Sequence, residues 1–279
     1  MTIIIAHASE QHQFTVADRL LTDPDTGGVV EDESYKLFLY ENHAQNYLFA
    51  VAFAGLARLN HEETTNWLMG ALPAVMDLDT DLGSAISSFT SLCTQKFQSI
   101  RRVPLHRKAT IFSFCGKFNL YGSDRAHIKY IPFLAIVSNC IGDKGEQISE
   151  VAPAFRTFSA RLLKRSSHLT ICRGDLPTAS RKPKERVELY RLLRRHIPHS
   201  SKVWAAANFI KLLSKDSNKI GESVLGLAVL NSGLRAAGYD FSTPTNSLMK
   251  TIPHMVTADG NKMTNITIGF LHVDNPDDN

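Results

Sequence analysis

Paired helices set between blocks of strands limit what this chain can fold into. Residues 2–7 form a β-branched run and 13–17 another, and the polar Ser9-Glu10-Gln11-His12 between them suits a hairpin turn. The turn formers of residues 23–28 follow, and then 35–40 and 47–53 are two further apolar runs. The period then changes. Trp67, Leu68, Ala71, Leu72, Val75 and Met76 recur at helical spacing, as do Ile86, Phe89, Leu92, Cys93 and Phe97. Glu62 and Glu63 near the start of the first helix favour its dipole, and Thr80-Asp81 supplies a cap for the second. Strand character returns at 109–115, 118–121, 132–138, 155–163 and 168–172. A second helical pair covers 184–196 and 201–214, divided by Pro198, and 224–230 and 266–273 are again strand-like. Single crossover helices do not alternate with single strands, which argues against a parallel βαβ sheet. The order predicts an α+β fold: a four-layer αββα sandwich of two packed, mainly antiparallel sheets flanked by helices. No internal repeat, low-complexity tract or linker divides the chain, so residues 1–279 are expected to form one domain.

Composition excludes several classes of function. With 43% hydrophobic and 21% charged residues the chain has the makings of a packed core. No apolar run approaches the roughly 18 residues of a membrane span, and Met1-Thr2-Ile3-Ile4-Ile5 lacks the basic start of a secretory signal, so a cytoplasmic location is expected. Cys93, Cys115, Cys140 and Cys172 are far apart, and no His-x-x-x-His stands beside a helical Glu, so neither a metal nor a disulfide framework is expected. Walker and Rossmann glycine patterns are missing, which leaves no cofactor to expect. From Arg156 to Arg195 twelve Lys and Arg stand against Asp175, Glu185 and Glu188. That is a local basic face without a nucleic-acid motif.

Four short pieces then occur in order: Thr2-Ile3-Ile4-Ile5-Ala6, Val16-Ala17-Asp18-Arg19, Tyr35-Lys36-Leu37-Phe38 and Phe53-Ala54-Gly55-Leu56-Ala57. Together they resemble the opening of proteasome β-subunits and their bacterial relatives among the N-terminal nucleophile hydrolases. Those begin with Thr-Thr-x-hydrophobic, end a strand in Ala-Asp-x-Arg, open an apolar strand with Lys and turn at Ala-Gly-x-Ala. Asp18 stands sixteen residues after Thr2, the spacing usual in that family, and Lys36 comes slightly late, as a small loop insertion would produce. The match is specific over the first sixty residues and architectural beyond them.

The resemblance implies a site and a chemistry. Thr2, once Met1 is removed, would be nucleophile and base in one residue. Its α-amine has an ordinary pKa of about 7.7–8.0 and can take the hydroxyl proton near neutral pH. Lys36 would supply a positive field that favours the anionic hydroxyl, and Asp18 would hold that ammonium. The Gly55 N–H would face the oxyanion. Asp216 would stand for the Asp of the family's late Asp-x-x-Ser-Gly, although Asp216-Ser217-Asn218-Lys219-Ile220-Gly221 is one residue longer and leaves Ser217 or Ser223 for the serine. Cys115 in Phe114-Cys115-Gly116-Lys117 departs from the mid-chain Ser-Gly pair. Peptide or amide substrates and homo-oligomeric assembly follow from the same resemblance. Alternatively, the same sandwich serves as a non-catalytic assembly or binding module, its basic 156–195 face meeting an acidic partner.

Overall fold

A computed structural model of the chain describes residues 2–22, 29–31, 36–42, 47–76, 81–120, 129–142, 146–161, 168–174, 182–218, 220–230, 233–240, 255–259 and 262–266. The first hairpin is β1 (Ile3–Ser9) and β2 (His12–Asp18), and β3 (Leu21–Thr22) pairs with β4 (Val29–Glu31). A second long hairpin follows, β5 (Leu37–Asn42) with β6 (Tyr47–Ala54), then the short pair β7 (Arg58–Leu59) and β8 (Glu62–Glu63). Helices α1 (Thr64–Met76) and α2 (Leu82–Gln98) precede β9 (Ile111–Leu120), β10 (Lys129–Ser138), β11 (Arg156–Arg161) and β12 (His168–Gly174). After α3 (Pro183–Leu193) and α4 (His199–Ser214) come β13 (Ser223–Leu230), β14 (Gly233–Asp240) and the hairpin of β15 (Met255–Asp259) with β16 (Lys262–Ile266).

Two five-stranded sheets carry the fold, ordered β12-β1-β2-β13-β14 and β11-β10-β9-β6-β5, and their pairings are antiparallel. Strand alternation then decides which residues face which layer. In β1, Ile4, Ala6 and Ala8 turn to the other sheet, whereas Ile3 and Ile5 pack with Leu193, Phe209 and Leu213 of α3 and α4. Small side chains such as Ala50, Ala52 and Ala54 bring the sheets close together at one end. On the outer side of the second sheet, Trp67 and Phe89 of the helices meet Phe112 and Phe114, with Phe89 edge-on to both at 5.5 and 5.3 Å between ring centroids. The protein is therefore the expected α+β sandwich, with helices outside both sheets.

Local chemistry explains the boundaries. Asp81 accepts hydrogen bonds from Gly83 N at 2.8 Å and Ser84 N at 3.3 Å, which caps α2. Glu62 and Glu63 form β8, just ahead of α1, rather than its first turn. The two strands expected over 109–121 are one, because Gly116 lies in register inside β9. A Cβ there would come within 2.1 Å of the Leu48 carbonyl, so its glycine is demanded by the approach of β6 and not by a turn. Strand β14 has no counterpart in the sequence reading. The loop of residues 23–28, Thr80 and the part of the 266–273 strand beyond Ile266 lie outside the described residues. The described cations of the basic stretch divide between layers, Arg156 on β11 of the second sheet and Lys184, Arg186 and Arg191 on α3 over the first. Among the described residues, no helix is long and apolar enough to cross a membrane.

The helix-facing side of the first sheet ends in histidines, and this sets a pH dependence. His7 is fully buried and its pKa falls from 6.5 to about 3, through burial first and then the positive charges of Lys202, His168, His12 and Arg194. The unfolded chain therefore binds a proton between pH 6.5 and about 3 that the folded chain refuses. Stability is intact above pH 6.5 and is lost as pH falls through that window, with a slope approaching about 1.4 kcal/mol per pH unit from this residue. Unfolding midpoints in chloride buffers should fall steadily on acidification, and His7→Leu should flatten the fall. An equal slope in the variant would remove His7 from the account.

Candidate functional site

One end of the sandwich gathers the start of β1, the ends of β2 and β12, the start of β13, and the β5 and β6 termini on the facing sheet. Antiparallel hairpins do this automatically: the Ile4↔Ala17 and Val224↔Asp18 registers place Asp18 beside both the first strand's start and the approach to β13. Asp18 is fully buried and is held by two backbone donors, Ile3 N at 2.7 Å and Gly221 N at 3.1 Å. Burial raises the pKa of its carboxyl, while Lys36 and these two N–H groups pull it down.

Lys36 enters from the second sheet. Its Nζ lies 3.7 Å from Asp18 Oδ2 and donates hydrogen bonds to Thr2 Oγ1 and to the Leu20 carbonyl. Its own carbonyl accepts from Phe53 N at 3.0 Å, which fixes the lysine beside the end of β6. Thr2, Asp18 and Lys36 are each no more than 3% exposed, so the hydroxyl, carboxylate and ammonium meet out of bulk water. There the electrostatic effect of an ammonium on a hydroxyl is far larger than at a surface.

Gly55 follows β6 at the same end, two residues after Phe53. Its φ of +131° is a conformation that side chains rarely adopt, and a Cβ would lie 2.4 Å from the Ala109 carbonyl and 2.5 Å from Thr110 Oγ1. Leu56 N donates to Thr110 Oγ1 at 3.3 Å, which holds the turn against the start of β9. Asp216 is placed differently. It follows α4 and its carboxylate pairs with Lys182 at 3.1 Å, both side chains partly exposed, tying the end of α4 to the start of α3. Of the five candidates, Thr2, Asp18 and Lys36 are joined directly, Gly55 shares their end of the sandwich, and Asp216 is bonded to none of them.

Sequence reasoning left out several groups. The Leu20 carbonyl acts through the backbone, which no residue type announces, and Gly221, expected only as the glycine of the late motif, donates its amide to Asp18. Gln147 clamps Gly174, donating from Nε2 to its carbonyl at 2.7 Å and accepting from its N–H at 3.0 Å. Gly174, with φ of +118°, pairs with Ile3 so closely that a Cβ would stand 1.8 Å from the Thr2 carbonyl. A glycine closing an apolar strand was the available signal for it; Gln147 offered none. Ser223, one of two stand-ins for the missing serine, is engaged by Arg19, whose amide donates to the Ser223 carbonyl at 2.9 Å. No protein-family model and no curated protein matches the chain, so its function has to be read from the geometry of this site.

Proposed function

We propose that this protein is an amide hydrolase, a peptidase or related amidase, built like a proteasome β-subunit and working through Thr2 after removal of Met1. The observation that carries this reading is the buried hydrogen bond from Lys36 Nζ to Thr2 Oγ1, with Asp18 behind the lysine. An ammonium that donates to a hydroxyl oxygen stabilises the alkoxide over the alcohol, and it lowers the pKa of a nearby amine, leaving that amine free to accept a proton.

In the reaction the Thr2 amine takes the Oγ1 proton as Oγ1 bonds to the substrate carbonyl carbon. The resulting oxyanion is placed for the Gly55 N–H, collapse expels the substrate amine with the proton returned to it, and water then hydrolyses the Thr2 ester by the same route. Lys36 and Asp18 stay charged throughout and do not exchange protons with the substrate. The reading locates the protein in the cytoplasm, where the methionine that precedes a small residue is removed, and makes self-association through the sandwich its expected state.

Intact mass and covalent labelling test it together. The purified protein should lack Met1 and should gain one β-lactone adduct, mapped to the N-terminal Thr2. A chain that retains Met1, or one that is labelled at another residue, would leave the sandwich as a binding module instead.

A further inference from the structure

The helix-facing side of the first sheet is apolar at the Thr2 end and entirely different at the other. Ile3 and Ile5 of β1 pack against α3 and α4, so His7, the next residue of that face, does too. By the same alternation Phe14 and Val16 place His12 of β2 there, and Cys172 places Thr170 and His168 of β12. The rings confirm the grouping. His7 stacks on His168 with centroids 5.8 Å apart, and its Nδ1 shares a 2.8 Å hydrogen bond with Thr170 Oγ1. His12 lies 6.2 Å from His199, the first residue of α4.

Four observations give this cluster one sign. Lys202, in the first turn of α4, is 2% exposed, and among the described residues no carboxylate pairs with it. The charges that act on His7, His12 and His168 are all cationic, from Lys202, Arg194 and the neighbouring histidines. His7 Nε2 and His12 Nδ1 are buried without a hydrogen-bond partner among the described residues. The N-cap of α4 is Pro198, which supplies no capping side chain to the positive end of this sixteen-residue helix. A buried ammonium without a counter-charge is costly, and buried ring nitrogens left unbonded add to that cost.

We propose that this cluster, floored by His7 and Lys202 under the first turn of α4, binds the phosphate group of a small molecule. A tetrahedral dianion offers enough acceptors for the lysine, the imidazole N–H groups and the helix amides together, and it supplies the charge the cluster lacks. A metal ion does not fit, because Lys202 and Arg194 repel it and the described residues contain no metal-binding group of His, Cys, Asp or Glu. The floor is buried whereas His168, His196 and Arg194 are exposed. One oxyanion therefore enters end-on while the rest of its molecule stays at the rim, which favours a compact phosphate over a polymer. The site stands at the far end of β1 from Thr2, roughly 17 Å along the strand for five residues. It is independent of the hydrolase reading.

Calorimetric titration of the full chain with inorganic phosphate, with glycerol phosphate and with a single-stranded oligonucleotide, at fixed ionic strength in chloride, tests the proposal. Phosphate and its monoester should each bind with one site per chain and raise the unfolding midpoint. Lys202→Met should weaken both at least about tenfold, as loss of a charge-assisted hydrogen bond does. Arg194→Ser, at an exposed position that leaves folding alone, should weaken them several-fold, so the test survives if Lys202→Met does not fold. No binding by either small anion, unchanged affinity in Arg194→Ser, or binding of the oligonucleotide alone would each overturn it.

Discussion

Thr2→Ala is expected to abolish acylation outright, and Lys36→Met to slow it by roughly 10²–10³-fold, the loss typical of one preorganised electrostatic group. Thr2→Ser keeps both hydroxyl and amine and should retain part of the activity. The reason for separating the two positions is that Lys36 Nζ donates to Thr2 Oγ1, whereas in the proposed reaction the proton would leave through the amine of Thr2 itself. A single-turnover burst with an activated amide or ester, read against pH, distinguishes them. Lys36→Met should move the amine's ionisation to higher pH as well as slow the rate. Were Lys36→Met to acylate within a factor of a few of the wild type, the ammonium would be a structural prop for Leu20 and Asp18 and the hydrolase reading would lose its support.

The second large effect concerns stability. Asp18→Ala is expected to destabilise the fold by roughly 3–5 kcal/mol, because it strands the buried Lys36 ammonium and leaves the Ile3 and Gly221 amides unbonded. Asp18→Asn combined with Lys36→Met removes both charges and keeps an acceptor for one of the two amides, so it should recover part of that loss. Denaturant unfolding of the two single variants and the double variant forms a cycle whose coupling measures the pair directly. A double variant no more stable than Asp18→Ala would mean that the backbone bonds to Asp18, and not its charge, hold this end of the sandwich.

The fold was legible because its elements are locally consistent. The apolar period of 3.6 in Trp67–Met76 and the β-branched alternation of Ile3–Ile5 leave few other arrangements, and the absence of single crossover helices decided between sandwich and parallel sheet. Strand β14 was missed since Gly233, Ala236, Ala237 and Gly238 have neither β-propensity nor alternation, and pairing with β13 overrides both. The strands expected at 109–115 and 118–121 are continuous because Gly116, between them, lies where β6 passes too near for a side chain. In the candidate site, Thr2, Asp18 and Lys36 were singled out by the resemblance, and the structure brings their side chains together. Leu20 and Gly221 act through main-chain atoms, and Gln147 through a tertiary contact with Gly174 that no spacing encodes. Asp216 was chosen from a motif that fits imperfectly, and its ion pair with Lys182 gives it a place between helices.

Strand β1 lies between β12 and β2, and β2 in turn lies between β1 and β13. During synthesis the β1–β2 segment is made before either of its outer neighbours, β12 and β13. Cys172 must emerge before β1 gains its second ladder, and Gly221 before Asp18 gains its second amide, a separation of 203 residues. Contacts so distant along the chain form late and slowly, since the intervening loop must be closed first. Thr2, the proposed nucleophile, is thus made well before the surroundings that would activate it are complete.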